Sequence, residues 1–87
     1  MGDEAAALDG RLVWRCRRGM KELDLVLMHY LRGRWPAAAA DEREQFERIL
    51  ELPDPTLAAY LMGREIAPDP RMQAVLVLLA RGLPAAG

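Results

Sequence analysis

The strongest chemical signal in this chain of 87 residues is the stretch from Trp14 to Asp24, WRCRRGMKELD. Four cations (Arg15, Arg17, Arg18 and Lys21) crowd around Gly19, and two acids, Glu22 and Asp24, follow at once. Such a segment offers three kinds of chemistry: contacts to phosphates, paired carboxylates for proton transfer, or charge presented to a protein partner. Phosphate contacts would draw on the basic patch Arg11, Arg15, Arg17, Arg18 and Lys21, with Trp14 as a stacking platform for a base. Proton transfer is poorly served, because Glu22 and Asp24 are two residues apart and diverge on a helix. The remaining inventory is thin, with one histidine (His29), one cysteine (Cys16), one threonine (Thr56) and no serine. No glycine pattern for a phosphate cradle accompanies them. His29 reads as a surface or half-buried helical residue, and Cys16 as a core or near-core residue beside Leu12 and Val13. The expectation is a chain with no enzyme activity, no metal and no stably bound cofactor.

Gly19 is the anomaly in the segment. Inside a helix it costs about 1 kcal/mol relative to alanine. Two compatible explanations exist. Glycine takes a positive φ freely and can end one helix so that the next begins at once. Alternatively, a partner's backbone must approach so closely that a Cβ would block it. Arg18 and Glu22 stand four apart, and a surface pair at that spacing is worth only about 0.3–0.5 kcal/mol. If the second helix starts near Gly19, Glu22 suits its positive end and Arg18 does not, so helix stability leaves Arg18 without a role. A guanidinium, a bare glycine and a carboxylate within one turn read either as a docking surface or as a solvated charged corner.

The elements that must position this segment are legible from their punctuation. Asp54-Pro55 and Asp69-Pro70 each read as a helix cap followed by proline at the first helical position. Asp41 with Glu44 fits the spacing of a capping box. Gly33, Gly63 and Gly82 lie where helices could end in a left-handed residue. Between these marks, apolar residues recur at helical spacing: Met20, Leu23, Leu27, Tyr30 and Leu31; Phe46, Ile49 and Leu50; Leu57, Tyr60 and Leu61; Met72, Val75, Leu76 and Leu79. The pattern predicts helices over about 9–17, 20–32, 41–51, 55–62 and 70–81. Ala37 to Ala40 reads as a loose connection, and no stretch alternates as a half-buried strand does. Helices this short need one another, so the predicted fold is all-α, a compact five-helix bundle in a single domain. Its core spans about 9–82, with residues 1–8 and 83–87 as loose ends.

Composition bounds the function further. The net charge of −1 gives no global field toward nucleic acid or membrane. Charge is nonetheless uneven: five cations and no acid between Gly10 and Lys21, and six acids with two arginines between Asp41 and Asp54. The acidic strip and the lack of a broader basic face weigh against nucleic acid. A lone cysteine precludes an internal disulfide. No apolar run reaches a membrane span of about 18–20 residues. The acidic start MGDEAAALDG reads as neither signal nor transit peptide, which sets the expectation of a cytoplasmic, bacterial protein.

The residues RRGMKELD, Arg17 to Asp24, resemble the R-G-x-x-E signature of the succinate dehydrogenase assembly factors, also called FAD assembly factors or flavinators. The order Trp14-x-Cys16-Arg17-Arg18-Gly19-Met20-x-Glu22-Leu23-Asp24 is similar to that family's first helix junction. Phe46 to Leu50, Asp54-Pro55-x-Leu57 and Tyr60-Leu61-x-Gly63 are similar to its second half. The resemblance covers about Arg11 to Arg81. It implies a small all-helical chaperone that binds the flavoprotein subunit of succinate dehydrogenase, or in some bacteria of fumarate reductase. Such a chaperone promotes covalent attachment of FAD to a histidine of that subunit. The FAD then belongs to the client, and the factor is expected to be a monomer without nucleic-acid or membrane partners. Carried over, Arg18, Gly19 and Glu22 are the signature residues of the docking surface, with Arg17, Met20 and Asp24 as neighbours in the same contact. Tyr60 stands where the family usually has tryptophan, and the alanine-rich link near Ala37 to Ala40 replaces a more polar loop.

Overall fold

A computed structural model describes residues 10–82. Five α-helices run in order: α1 Gly10–Arg15, α2 Lys21–Gly33, α3 Ala40–Leu50, α4 Asp54–Leu61 and α5 Pro70–Ala80. A 3₁₀ turn, Trp35–Ala37, joins α2 to α3. No strand occurs among the described residues, so the all-α single-domain expectation holds. The expected loose ends at 1–8 and 83–87 lie outside the described residues.

The hydrophobic spacing does what it predicts. On α2, Leu23, Val26, Leu27, Tyr30 and Leu31 face inward at steps of three and four. They meet Phe46 and Ile49 of α3, Leu57 of α4, and Leu76 and Leu79 of α5 in one continuous core. Phe46 is fully buried at its centre. The Tyr30 ring lies 4.4 Å from that of Phe46 between centroids, and Trp35 lies 5.6 Å away. Trp35 is buried because the 3₁₀ turn folds it inward, and the Arg43 guanidinium covers its outer face at 4.9 Å. Arg43 also donates to the carbonyls of Trp35 and Pro36. The alanine-rich link is therefore more ordered than expected at both ends, with Ala37 closing the 3₁₀ turn and Ala40 opening α3.

A polar tie fastens α2 to α3. Tyr30 Oη and Arg34 Nε both donate to Glu42 Oε2 at 2.7 Å. The Arg34 hydrogen bond, opposed by partial burial and aided by Tyr30, holds the Glu42 carboxyl below its ordinary range. Because the folded value is depressed, this contribution is whole above the unfolded carboxyl pKa of about 4.3 and is lost as pH falls through the folded value.

The helix ends match the punctuation only in part. Asp69 caps α5 by accepting from Arg71 N–H at 2.9 Å, and Gly63 takes a φ of 76° after α4. Asp54 is no cap: Pro53 holds that position, and the Asp54 carboxylate is engaged elsewhere. Asp41 forms no capping box, because α3 starts a residue early and Ala39 precedes it. Gly33 and Gly82 are not left-handed. At Gly33 the α-helix runs on instead, with Arg34 N–H donating to Tyr30 O four residues back before the chain passes into the 3₁₀ turn.

One core position is imperfect. Gln45 on α3 is 4% exposed, and its Oε1 has no partner among the described residues. An unmet buried acceptor costs about 1–3 kcal/mol. Gln45→Met, similar in volume, is expected to stabilise the protein by about 1 kcal/mol, a rise of roughly 4–8 °C in melting temperature. A lower melting temperature would mean that the amide is satisfied by bound water.

Candidate functional site

The corner between α1 and α2 is built from the residues that stood out in the sequence. Helix α1 ends as Cys16 N–H donates to Leu12 O and Arg17 N–H donates to Trp14 O. Cys16 is completely buried, and burial pushes its thiol up to about 11 against the pull of Arg18 and Arg15. A thiol so placed carries little thiolate at neutral pH, and it packs as a small hydrophobe. The chain then reverses through Gly19 at φ 78°, and Met20 is extended at the start of α2. The positive φ is as expected, but Gly19 turns the link between the helices rather than capping α1, which already ends at Arg15; a Cβ built on Gly19 would meet nothing within 4 Å. The glycine is exposed, and the space above it is open.

Arg18 departs from the expectation. Its side chain is only 14% exposed and turns back toward the bundle. Nε donates to Arg15 O at 3.0 Å, and Nη1 to Leu52 O at 3.1 Å and Asp54 Oδ1 at 3.0 Å. Nη2 donates to Leu50 O. Leu50 ends α3, where carbonyls lack intrahelical partners and a cation is favoured. The view that Arg18 has no structural role is therefore corrected: it seals the end of α3 and binds that end to the α1–α2 corner. No Arg18–Glu22 pair forms, because the guanidinium points to the α3–α4 loop. The Arg18 main chain is held too, donating its N–H to Asp24 Oδ1 at 2.7 Å.

What remains on the surface is a compact set. Arg17, Gly19, Met20, Lys21 and Glu22 are exposed. The side chains of Arg17, Lys21 and Glu22 make no hydrogen bond or ion pair among the described residues. Met20 is 41% exposed, and Trp14, one turn back on α1, is 74% exposed. Asp24 is half-buried and occupied by the Arg18 amide. The structure thus brings together Arg17, Gly19, Met20 and Glu22, and sets Arg18 and Asp24 behind them. Sequence reasoning missed Asp54 and the Leu50 and Leu52 carbonyls. The one signal available, Asp54-Pro55, points locally to a cap.

The other candidates stand apart. His29 is exposed on α2 and lines an open cleft of about 370 Å³ with Tyr30, Arg34 and Arg81. Tyr60 is half-buried against the core. Among the described residues, no group of three or more histidine, cysteine or acidic side chains could hold a metal ion, and no helix is long and apolar enough to cross a membrane.

The family model for the flavinator of succinate dehydrogenase matches residues 10–82, which covers all five helices. The chain belongs to the succinate dehydrogenase flavinators. Among similar proteins of this family is the FAD assembly factor SdhE of Methylococcus capsulatus, 46% identical over 70 residues, 80% of this chain and 84% of that one. The FAD assembly factor SdhE of Xylella fastidiosa (strain 9a5c) is 45% identical over 83 residues, 95% of this chain and 84% of its own length. That of Shewanella oneidensis is 39% identical over 72 residues, 83% and 87% respectively. Flavinator membership agrees with the all-helical fold and with the R-G-x-x-E resemblance at Arg18, Gly19 and Glu22.

Proposed function

We propose that this chain docks on the flavoprotein subunit of succinate dehydrogenase through the α1–α2 corner and promotes covalent attachment of that subunit's FAD. Where a fumarate reductase flavoprotein is present, it is a second client. The observation that carries the reading is the open left-handed Gly19 beside an unpaired Glu22. A partner's main chain can lie against the glycine while Glu22 accepts from its donors and Arg17 meets its acceptors. Met20 and Trp14 add the exposed apolar and aromatic area that anchors interfaces.

The chaperone acts as a monomer in the cytoplasm and performs no chemistry itself. It binds one conformer of the client better than another, a shift limited by that difference in affinity. The favoured conformer aligns the client's histidine with its own FAD, and orientation of that kind contributes several kcal/mol to a bond-forming step. The factor holds no FAD of its own. It must leave before the flavoprotein joins the rest of its complex, so a small, charged, reversible contact suits it.

The nucleic-acid alternative is weakened by the fate of the basic patch. Arg15 donates to Glu47 O and pairs with its carboxylate at 3.8 Å, and Arg18 is turned inward. At least two of the five cations are thereby occupied within the molecule.

Co-expression with the flavoprotein subunit, read by flavin fluorescence of the denatured gel band, tests the proposal. Wild-type factor is expected to raise covalent flavin. Glu22→Ala is expected to weaken docking about tenfold or more while shifting the melting temperature by only a few degrees, because the exposed Glu22 side chain has no partner in the fold and contributes only as an acid in the first turn of α2. A large loss of stability in that variant would return Glu22 to a structural role.

A further inference from the structure

We propose that Asp54, acting through Arg18, is a positioning residue for client recognition, and that the Arg18 guanidinium shapes the docking corner without forming its contact face. The inference rests on the docking reading above. A guanidinium has five N–H donors. Four of them are engaged inside the molecule, on Arg15 O, Leu52 O, Asp54 Oδ1 and Leu50 O. At most one donor is left for a visitor, on a side chain that is 14% exposed.

The same residue is gripped at its main chain by Asp24. Arg18 is thus fixed at both ends immediately before the chain turns through Gly19. With Arg18 fixed, the direction in which the Gly19 backbone and the first turn of α2 face is set by a residue 36 positions away. Asp54 is the one charged acceptor in the guanidinium's set. It begins α4, where its carboxylate also suits the positive helix end. Carbonyls alone would leave the cation uncompensated, and the ion pair at 3.0 Å supplies the opposite charge to a guanidinium that is largely buried.

The test uses the full chain and the purified flavoprotein subunit. Asp54→Ala is expected to weaken affinity about tenfold, and Asp54→Asn, which keeps an acceptor, by no more than about threefold. The loss is confined to the concentration dependence: at saturating factor, covalent flavin forms at the wild-type rate. In an Arg18→Ala background, Asp54→Ala adds less than about a twofold loss, because the two act as one unit. Amide hydrogen exchange at Arg18, which needs no client, speeds up about tenfold in Asp54→Ala as the Asp24 contact loosens. Wild-type affinity in Asp54→Ala overturns the inference. Additive losses overturn it as well, since Asp54 would then touch the client itself. A wild-type factor that captures no flavoprotein overturns the docking reading, while unchanged Arg18 exchange in Asp54→Ala overturns the Asp54 lock alone.

Discussion

Gly19→Arg is expected to leave a folded bundle that no longer docks. Any L side chain at φ 78° carries left-handed strain, worth about 1–2 kcal/mol. No further destabilisation follows, because a Cβ there meets nothing within 4 Å and the arginine extends into solvent. In the docking proposed above, the same open space receives the client's main chain. A long side chain fills it and adds a cation to a corner that already exposes Arg17 and Lys21. Loss of affinity is expected to exceed about a hundredfold, which is more than 2.7 kcal/mol. Circular dichroism with thermal melting checks the fold, and titration against the flavoprotein subunit checks the docking. Gly19→Ala separates strain from occlusion, since it carries the same φ penalty with a single methyl group. If Gly19→Arg binds as the wild type does, close approach at this corner is wrong. If Gly19→Ala loses as much affinity as Gly19→Arg, backbone geometry rather than bulk is the cause.

Phe46→Ala is expected to cost about 3–5 kcal/mol of stability, the usual range for emptying a buried aromatic site. Phe46 is fully buried and touches both other core rings, so two tilted aromatic contacts vanish with it. A chain of this size has roughly 4–13 kcal/mol in all. The variant is therefore expected to lose about a quarter or more of its stability, with a urea midpoint reduced in the same proportion. Phe46→Leu keeps most of the volume, and its smaller loss, about 1–2 kcal/mol, isolates the aromatic share. A loss below 1 kcal/mol in Phe46→Ala would show that Tyr30 and Trp35 close over the gap and that the three rings are not the centre of the core.

These two positions also show where sequence reasoning succeeds. Phe46 lies in a three- and four-residue rhythm that only a helix satisfies, and a glycine amid charges at position 19 announces a turn. Such signals are local. Asp69 is legible for the same reason: its cap closes on Arg71, two residues on. Asp54 has an identical local signature, and its carboxylate answers to Arg18 instead. The partners of Arg18 are mostly backbone carbonyls at the end of α3, and a carbonyl has no signature in sequence. Arg18 therefore reads as an outward charge until the third helix is placed beside it. The family resemblance carried Arg18, Gly19 and Glu22 together as a motif, whereas the geometry divides them into a brace and a face.

Cys16 has a practical consequence. It is the chain's sole thiol, and it is sealed under the corner that Arg18 fastens. A sulfhydryl reagent reaches it only when its surroundings open, so its labelling rate is a built-in clock for that opening. The same clock, run with and without the flavoprotein subunit, distinguishes a client that clamps the corner shut from one that pries it loose.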